Sequence, residues 1–222
     1  MDTPLRLACA VLFCLSACAA TSPVLAQETS VGPEWTAFGK IADHFSNARF
    51  EVASHIVNAT GEHDNVLRIS FRKPHFARCE VIDGNGAGGI AVWRGGPMVL
   101  VRPPGLLSRF SLALDRNDSH VVDSRGRGCG QTTLDNFATE YAANGSLEET
   151  PGPTIDGSST DAIAWKRSGD DPSGDTNRLL YISKTSHLPV ELKSYRGNEL
   201  VEDSHYRNIV LDASMPFSTF EL

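Results

Sequence analysis

The sequence is poor in the residues that most often carry chemistry. It has five cysteines, three of which, Cys9, Cys14 and Cys18, fall near the start, leaving only Cys79 and Cys129 in the body of the chain. Two cysteines so far apart cannot make a local zinc knuckle, and the seven histidines include no i, i+4 pair, so no metal site is expected. Nucleophile-elbow, phosphate-loop and zincin patterns are all missing, which leaves no catalytic residues to nominate and no enzyme activity to expect. Gly84–Gly89 imitates part of a dinucleotide fingerprint, but a strand follows it where a helix would have to begin; it reads as a hairpin turn, and no cofactor is implied. Excess positive charge is lacking too. Asp and Glu outnumber Lys and Arg by 27 to 20, and no basic stripe is present, which argues against a nucleic-acid partner.

Long apolar runs are confined to one place. After Arg6, residues 7–20 are apolar, too short a run to span a bilayer comfortably, and small residues follow. Residues 1–26 therefore read as an export signal, with residues 27–222 as a single domain. Two cleavage sites compete. Val24-Leu25-Ala26 before Gln27 suits an ordinary signal peptidase, whereas Leu15-Ser16-Ala17-Cys18 has the form of a bacterial lipobox and would make Cys18 a lipidated first residue. In either case the destination is oxidising, and Cys79 and Cys129 remain as an even pair. A disulfide between them is expected, worth on the order of 4 kcal/mol in the chain-entropy model. Two separately buried thiols are the alternative.

What the chain does have is alternation. Val66–Phe71 sets Leu67, Ile69 and Phe71 against Val66, Arg68 and Ser70, the period-two pattern of a strand with one buried face. Lys73-Pro74 breaks it, and strands at 78–83, 90–93 and 98–101 follow across glycine-rich turns, an antiparallel meander. Further strands are expected at 49–59, 110–114, 161–166, 178–183, 188–195 and 199–211. Residues 60–65 read as a polar turn, 148–159 as a Pro, Gly and Ser loop, and 168–175 as a solvated hairpin tip. Two helices are expected. Residues 34–47 follow Pro33 and carry Trp35, Phe38, Ile41, Ala42 and Phe45 at helical spacing; residues 133–144 carry Leu134, Phe137, Ala138 and Tyr141 on one side. The fold class is mainly β (α+β), a strongly curved antiparallel sheet with helices laid on one face.

These residues resemble a known family. Phe71-Arg-Lys-Pro-His-Phe-Ala-Arg78, the glycine turn, Ile90-Ala-Val-Trp93 and a Gly-Gly turn, followed by Tyr181–Pro189, Gly197 and Tyr206–Leu211, are similar to the strand pattern of the bacterial LolA/LolB lipoprotein-carrier superfamily and its RseB-like fold relatives. The resemblance implies an unclosed β-barrel under a helical lid, holding lipid or lipoprotein acyl chains in the periplasm, with envelope membrane proteins as further candidate partners. On that basis Trp35, Phe38, Ile41, Phe45, Leu67, Ile69 and Phe71 are the candidate lipid-binding and lid residues. It also implies a basic lid latch before the meander proline. Where the family has arginine this chain has Lys73, which lacks the planar fork of donors, with Arg78 a few residues beyond as a second candidate.

Three classes of function stay open. A lipid or lipoprotein-binding module calls for a deep apolar cavity, a sensor or adaptor for a filled core with an exposed apolar patch, and an unrecognised enzyme for a polar cleft gathering Asp and His. The export reading is directly testable. Intact-mass analysis of the mature protein is expected to show a lipidated N-terminus at Cys18; a mature N-terminus at Gln27 would exclude lipidation.

Overall fold

The computed structural model describes residues 32–59, 61–123, 125–143, 145–167 and 174–222. The expected export signal, both cleavage sites, Cys18 and residues 168–173 of the expected hairpin tip lie outside the described residues. Helix α1 (Pro33–His44) is followed by β1 (Asn47–Asn58), β2 (Gly61–Arg72), β3 (Phe76–Gly84), β4 (Ile90–Trp93), β5 (Met98–Arg102) and β6 (Leu112–Asp115). Then come α2 (Leu134–Ala143), β7 (Gly145–Ile155), β8 (Ser158–Arg167), β9 (Asn177–Ser183), β10 (Pro189–Arg196) and β11 (Glu199–Leu211). All eleven strands form one antiparallel sheet in the order β6-β5-β4-β3-β2-β1-β11-β10-β9-β8-β7. Two runs of neighbouring strands meet where β1 pairs with β11, and the edge strands β6 and β7 do not pair with each other, so the barrel stays open.

Alternation sends one set of side chains to the concave face. Ala48, Phe50 and Val52 of β1, Ile69 and Phe71 of β2, Ile163 and Trp165 of β8, Leu180 of β9 and Leu192 of β10 are all buried there, together with Phe38 of α1 and Leu134 of α2. Pro33 opens α1 with its fixed φ, and the helix N-terminus is capped from a distance. The Glu149 carboxylate on β7 accepts the Glu34 and Trp35 N–H groups at 3.2 and 3.0 Å, satisfying donors that have no partner in the first turn and placing negative charge at the positive end of the dipole.

Several expected boundaries shift. The helix ends at His44, and β1 already begins at Asn47. Residues 61–65 are not a turn: β2 starts at Gly61, directly opposite Asn58, and its polar end hides the strand because His63 and Asn65 face inward where apolar residues are expected. Residues 148–155 belong to strand β7. Pro151 and Pro153 are tolerated because β7 is an edge strand, and the register shifts between Pro151 and Thr154. The strand expected at 110–114 is shortened to β6 by a 3-10 turn at Gly105–Arg109.

Cys79 of β3 and Cys129 are joined in a disulfide with a Cα–Cα separation of 5.8 Å, as the cysteine count led us to expect. It closes a sequence separation of 50 residues. Replacing both cysteines with alanine is expected to lower unfolding free energy by about 4 kcal/mol in urea titrations. A loss under about 1 kcal/mol would show that the loop is already ordered without the bond.

Candidate functional site

The core beneath α1 does not fill the whole concave face. Beyond it, toward the turn joining β1 and β2, a cavity of about 1010 Å³ opens, large for a small-molecule site. Its walls are the inward residues of β1 (Val52, Ser54, Ile56, Asn58) and β2 (His63, Asn65, Leu67, Ile69), with Cys79 and Val81 of β3, Leu112 and Leu114 of β6, and Glu202, Ser204 and Tyr206 of β11. Phe137 and Glu140 of α2 face it. Apolar residues predominate at the end nearest the core; polar ones gather toward the turn.

A long segment between β6 and α2, described over 116–123 and 125–133, crosses this space and lines it with Val121, Val122 and Cys129 among others. Its shape comes from Asp123, whose carboxylate accepts the Arg125 and Arg127 N–H groups, each at 2.8 Å, and the Arg127 side chain at 2.8 Å. On one side the disulfide fixes the segment to β3. On the other it is held by ion pairs of alternating sign. Arg127 binds Glu202 at 2.7 Å, Arg125 lies 3.9 Å from Glu202 and pairs with Asp175, Asp175 accepts from Arg178 at 2.9 Å, and Arg178 reaches Glu140 of α2 at 2.7 Å. Asp175 is only 3 % exposed, which corrects its reading as part of a solvated hairpin tip: two guanidinium groups keep its charge in the interior. Burial by itself would push the Glu202 carboxyl up, but Arg127 and Arg125 outweigh it and hold the group below its usual range, helped by a hydrogen bond from Ser204. The same carboxylates push the Arg127 guanidinium pKa up against the opposing effect of its own burial.

The sequence-nominated residues divide into two groups. Leu67 and Ile69 line the cavity, as do Cys79 and Cys129. Trp35, Phe38, Phe45 and Phe71 are buried in the core, with Ile41 packed against it, and none of the five is among the cavity-lining residues. The cavity is covered instead by the 116–133 segment and α2. Of the latch candidates, Lys73 donates to the Ala42 carbonyl near the end of α1 and sits 4.2 Å over the Phe45 ring. Arg78 donates to the Thr219 and Glu221 carbonyls at 3.2 and 2.9 Å and so fastens the C-terminal segment.

Sequence reasoning missed Arg125, Arg127, Arg178 and Glu202. The available signal was an Arg-Gly-Arg step that sets two guanidinium groups on one side of a loop, and an inward-register glutamate on a long strand. On the opposite face of the sheet Glu191, Asp203 and His205 come close enough to share a cation. Lys193 already supplies one, at 2.9 Å from Glu191 and 3.5 Å from Asp203, so the group is a cross-strand charge ladder.

No family model matches the sequence, and no curated protein is significantly similar to it. Among solved structures, an uncharacterized conserved protein from Thermus thermophilus has a TM-score of 0.54 at 9% identity, covering 85% of this chain and 91% of that one. MucB has a TM-score of 0.51 at 11% identity, covering 85% of this chain and 62% of MucB, which has also been solved as the Pseudomonas aeruginosa MucA/MucB complex. A LolA superfamily protein from Nitrosomonas europaea has a TM-score of 0.42 at 11% identity, with 86% and 99% covered. The chain thus shares the fold of the matched part of MucB, an RseB-like protein, and this is the fold class that the resemblance implied.

The ion-pair chain carries a stability prediction. Glu202 has a folded pKa below its ordinary value of 4.5, so its contribution is fully present above about that pH and is lost as pH falls through the folded value. Glu202→Gln is expected to cost about 3 kcal/mol at pH 7, because it takes from Arg127 the more deeply buried of its two carboxylate partners, and to flatten the fall in stability below pH 4.5. Urea unfolding of both proteins at a series of pH values checks it; parallel pH profiles would show that Glu202 contributes nothing to acid sensitivity.

Proposed function

We propose that this protein is a non-catalytic binding or carrier protein for hydrocarbon chains, of lipids or lipoproteins, in the bacterial periplasm. One observation carries the reading: a large, mostly apolar cavity on the concave face of an open sheet, beside a core that is already filled. A cavity of this size would cost stability if it served only folding, since empty apolar space forfeits contacts. Exposed hydrocarbon supplies the matching need. At about 0.8 kcal/mol per methylene, a sixteen-carbon acyl chain faces roughly 12 kcal/mol against crossing water bare. Leu67, Ile69 and Val81 would contact such a chain, while Trp35, Phe38, Ile41, Phe45 and Phe71 would support the wall by packing. The export signal read from the sequence provides the compartment.

A second reading, an envelope sensor or adaptor, is favoured by a different observation. Leu106, Leu107 and Phe110 project from the 3-10 turn between β5 and β6 at 96%, 58% and 62% exposure, an apolar patch suited to docking. Filling the cavity separates the two. Leu67→Trp is expected to weaken binding of an uncharged, polarity-sensitive fluorescent lipid at least about tenfold with stability changed by less than about 1.5 kcal/mol. Phe38→Asn, in the core, should instead lose several kcal/mol in urea unfolding. Undetectable binding of the uncharged lipid by the folded wild type would remove the carrier reading and leave the adaptor.

A further inference from the structure

The inward rows of the sheet grade the cavity in steps. Leu67, Val52 and Tyr206 face one another across β2, β1 and β11; the next row toward the turn is Asn65, Ser54 and Ser204. Three uncharged hydrogen-bonding side chains therefore cross the cavity wall side by side, where alternation alone would set apolar residues. Their bonds to one another do not exhaust them. Ser204 Oγ lies 2.8 Å from Ser54 Oγ and 3.0 Å from Glu202, and Asn65, which lines the cavity, accepts the Asn85 N–H at 3.1 Å through Oδ1, a bond that does not use its amide donors.

The Arg127, Arg178, Glu202 and Glu140 side chains beside this row are already paired internally. Arg127 is matched by Glu202 and Asp123, and Arg178 by Glu140 and Asp175, so an incoming phosphate or carboxylate would have to break a buried pair to gain a counter-ion. Arg102 borders the cavity at the end of β5, but by register it shares the row of Ile90 and Glu80, the row of the opposite face. The net charge of −7 repels anions further. An ammonium headgroup fares no better, since the carboxylates that could receive it are engaged by the arginines.

Resting on the carrier reading above, we propose that the cavity selects amphiphiles whose headgroup is polar but uncharged, bearing hydroxyl, ester or amide groups. The head sits on the Asn65–Ser54–Ser204 row, and the hydrocarbon runs toward Leu67, Ile69 and Phe137. Asn65 donates to an oxygen of the head, and the serine hydroxyls exchange bonds with it. The ion pairs beyond the row stay closed and exclude charged heads, discrimination by an unmatched cost and not by a stronger attraction.

The test uses the full mature protein loaded with a polarity-sensitive dye, displaced by three ligands of one chain length: monopalmitoylglycerol, hexadecyl phosphate and hexadecyltrimethylammonium. Monopalmitoylglycerol should displace the dye at a concentration about tenfold lower than either ion. Asn65→Leu, which keeps the branched shape without its hydrogen-bonding atoms, should erase most of that advantage while leaving affinity for the dye unchanged; Ser54→Ala should erase part of it. Equal or tighter binding of either ion, or a full advantage retained in both variants, would overturn the headgroup assignment and leave the carrier reading intact. A cavity that takes up neither the dye nor any of the three ligands would overturn both.

Discussion

An open sheet of eleven strands has a concave face longer than two short helices can cover, and the constraint on everything else is how the remainder is closed. Here the closing element is an irregular segment, which cannot bury itself by regular hydrogen bonding. It is held by one covalent bond at β3 and by a run of buried charges of alternating sign at β11, β9 and α2. The two attachments act from opposite sides of the cavity and hold its cover in place without filling it. A purely apolar clasp would have collapsed into the space it was meant to span.

The charges also bear on the proposed reading of the site as one that binds and does not catalyse. Glu202, Asp175 and Arg178 are buried, and Glu202, Arg178 and Arg127 border the cavity, so these are the groups a catalytic reading would first seize upon. Each is saturated by an opposite charge, and Glu202 is held ionised. A carboxylate so held is a poor general base and is anchored too firmly to move a proton. The same pairing that holds the segment leaves the apolar wall as the surface for the proposed ligand.

How much of this could be read in the sequence depended on how local its cause was. Leu67, Ile69 and Phe71 alternate cleanly with their neighbours, so β2 was visible wherever its inward residues were apolar, and it vanished where His63 and Asn65 took over. Helix α1 was legible from Pro33 and a five-residue apolar stripe. Strand β7 was not, because Pro151, Gly152 and Pro153 spell a loop until an edge position permits them. The division between core and cavity was least accessible. Leu67 and Phe71 lie on the same face of the same strand, yet one lines open space and the other is covered by Phe45 and its neighbours. What separates them is where α1 stops and the disulfide-bound segment begins, contacts many tens of residues apart that alternation does not encode. The alternating ion pairs were hidden for the same reason: Arg125 and Asp175, or Arg127 and Glu202, become neighbours only once the sheet has curved.

The claim on which the account turns is that the concave cavity holds hydrocarbon in the cell. Mass spectrometry of the organic extract of the protein, purified without detergent from its own cell envelope, addresses this most directly. The account predicts a long-chain apolar molecule present at close to one equivalent per protein and absent from the extract of a cavity-filled variant. Protein recovered folded and free of any such molecule, or carrying it equally with the cavity filled, would contradict it.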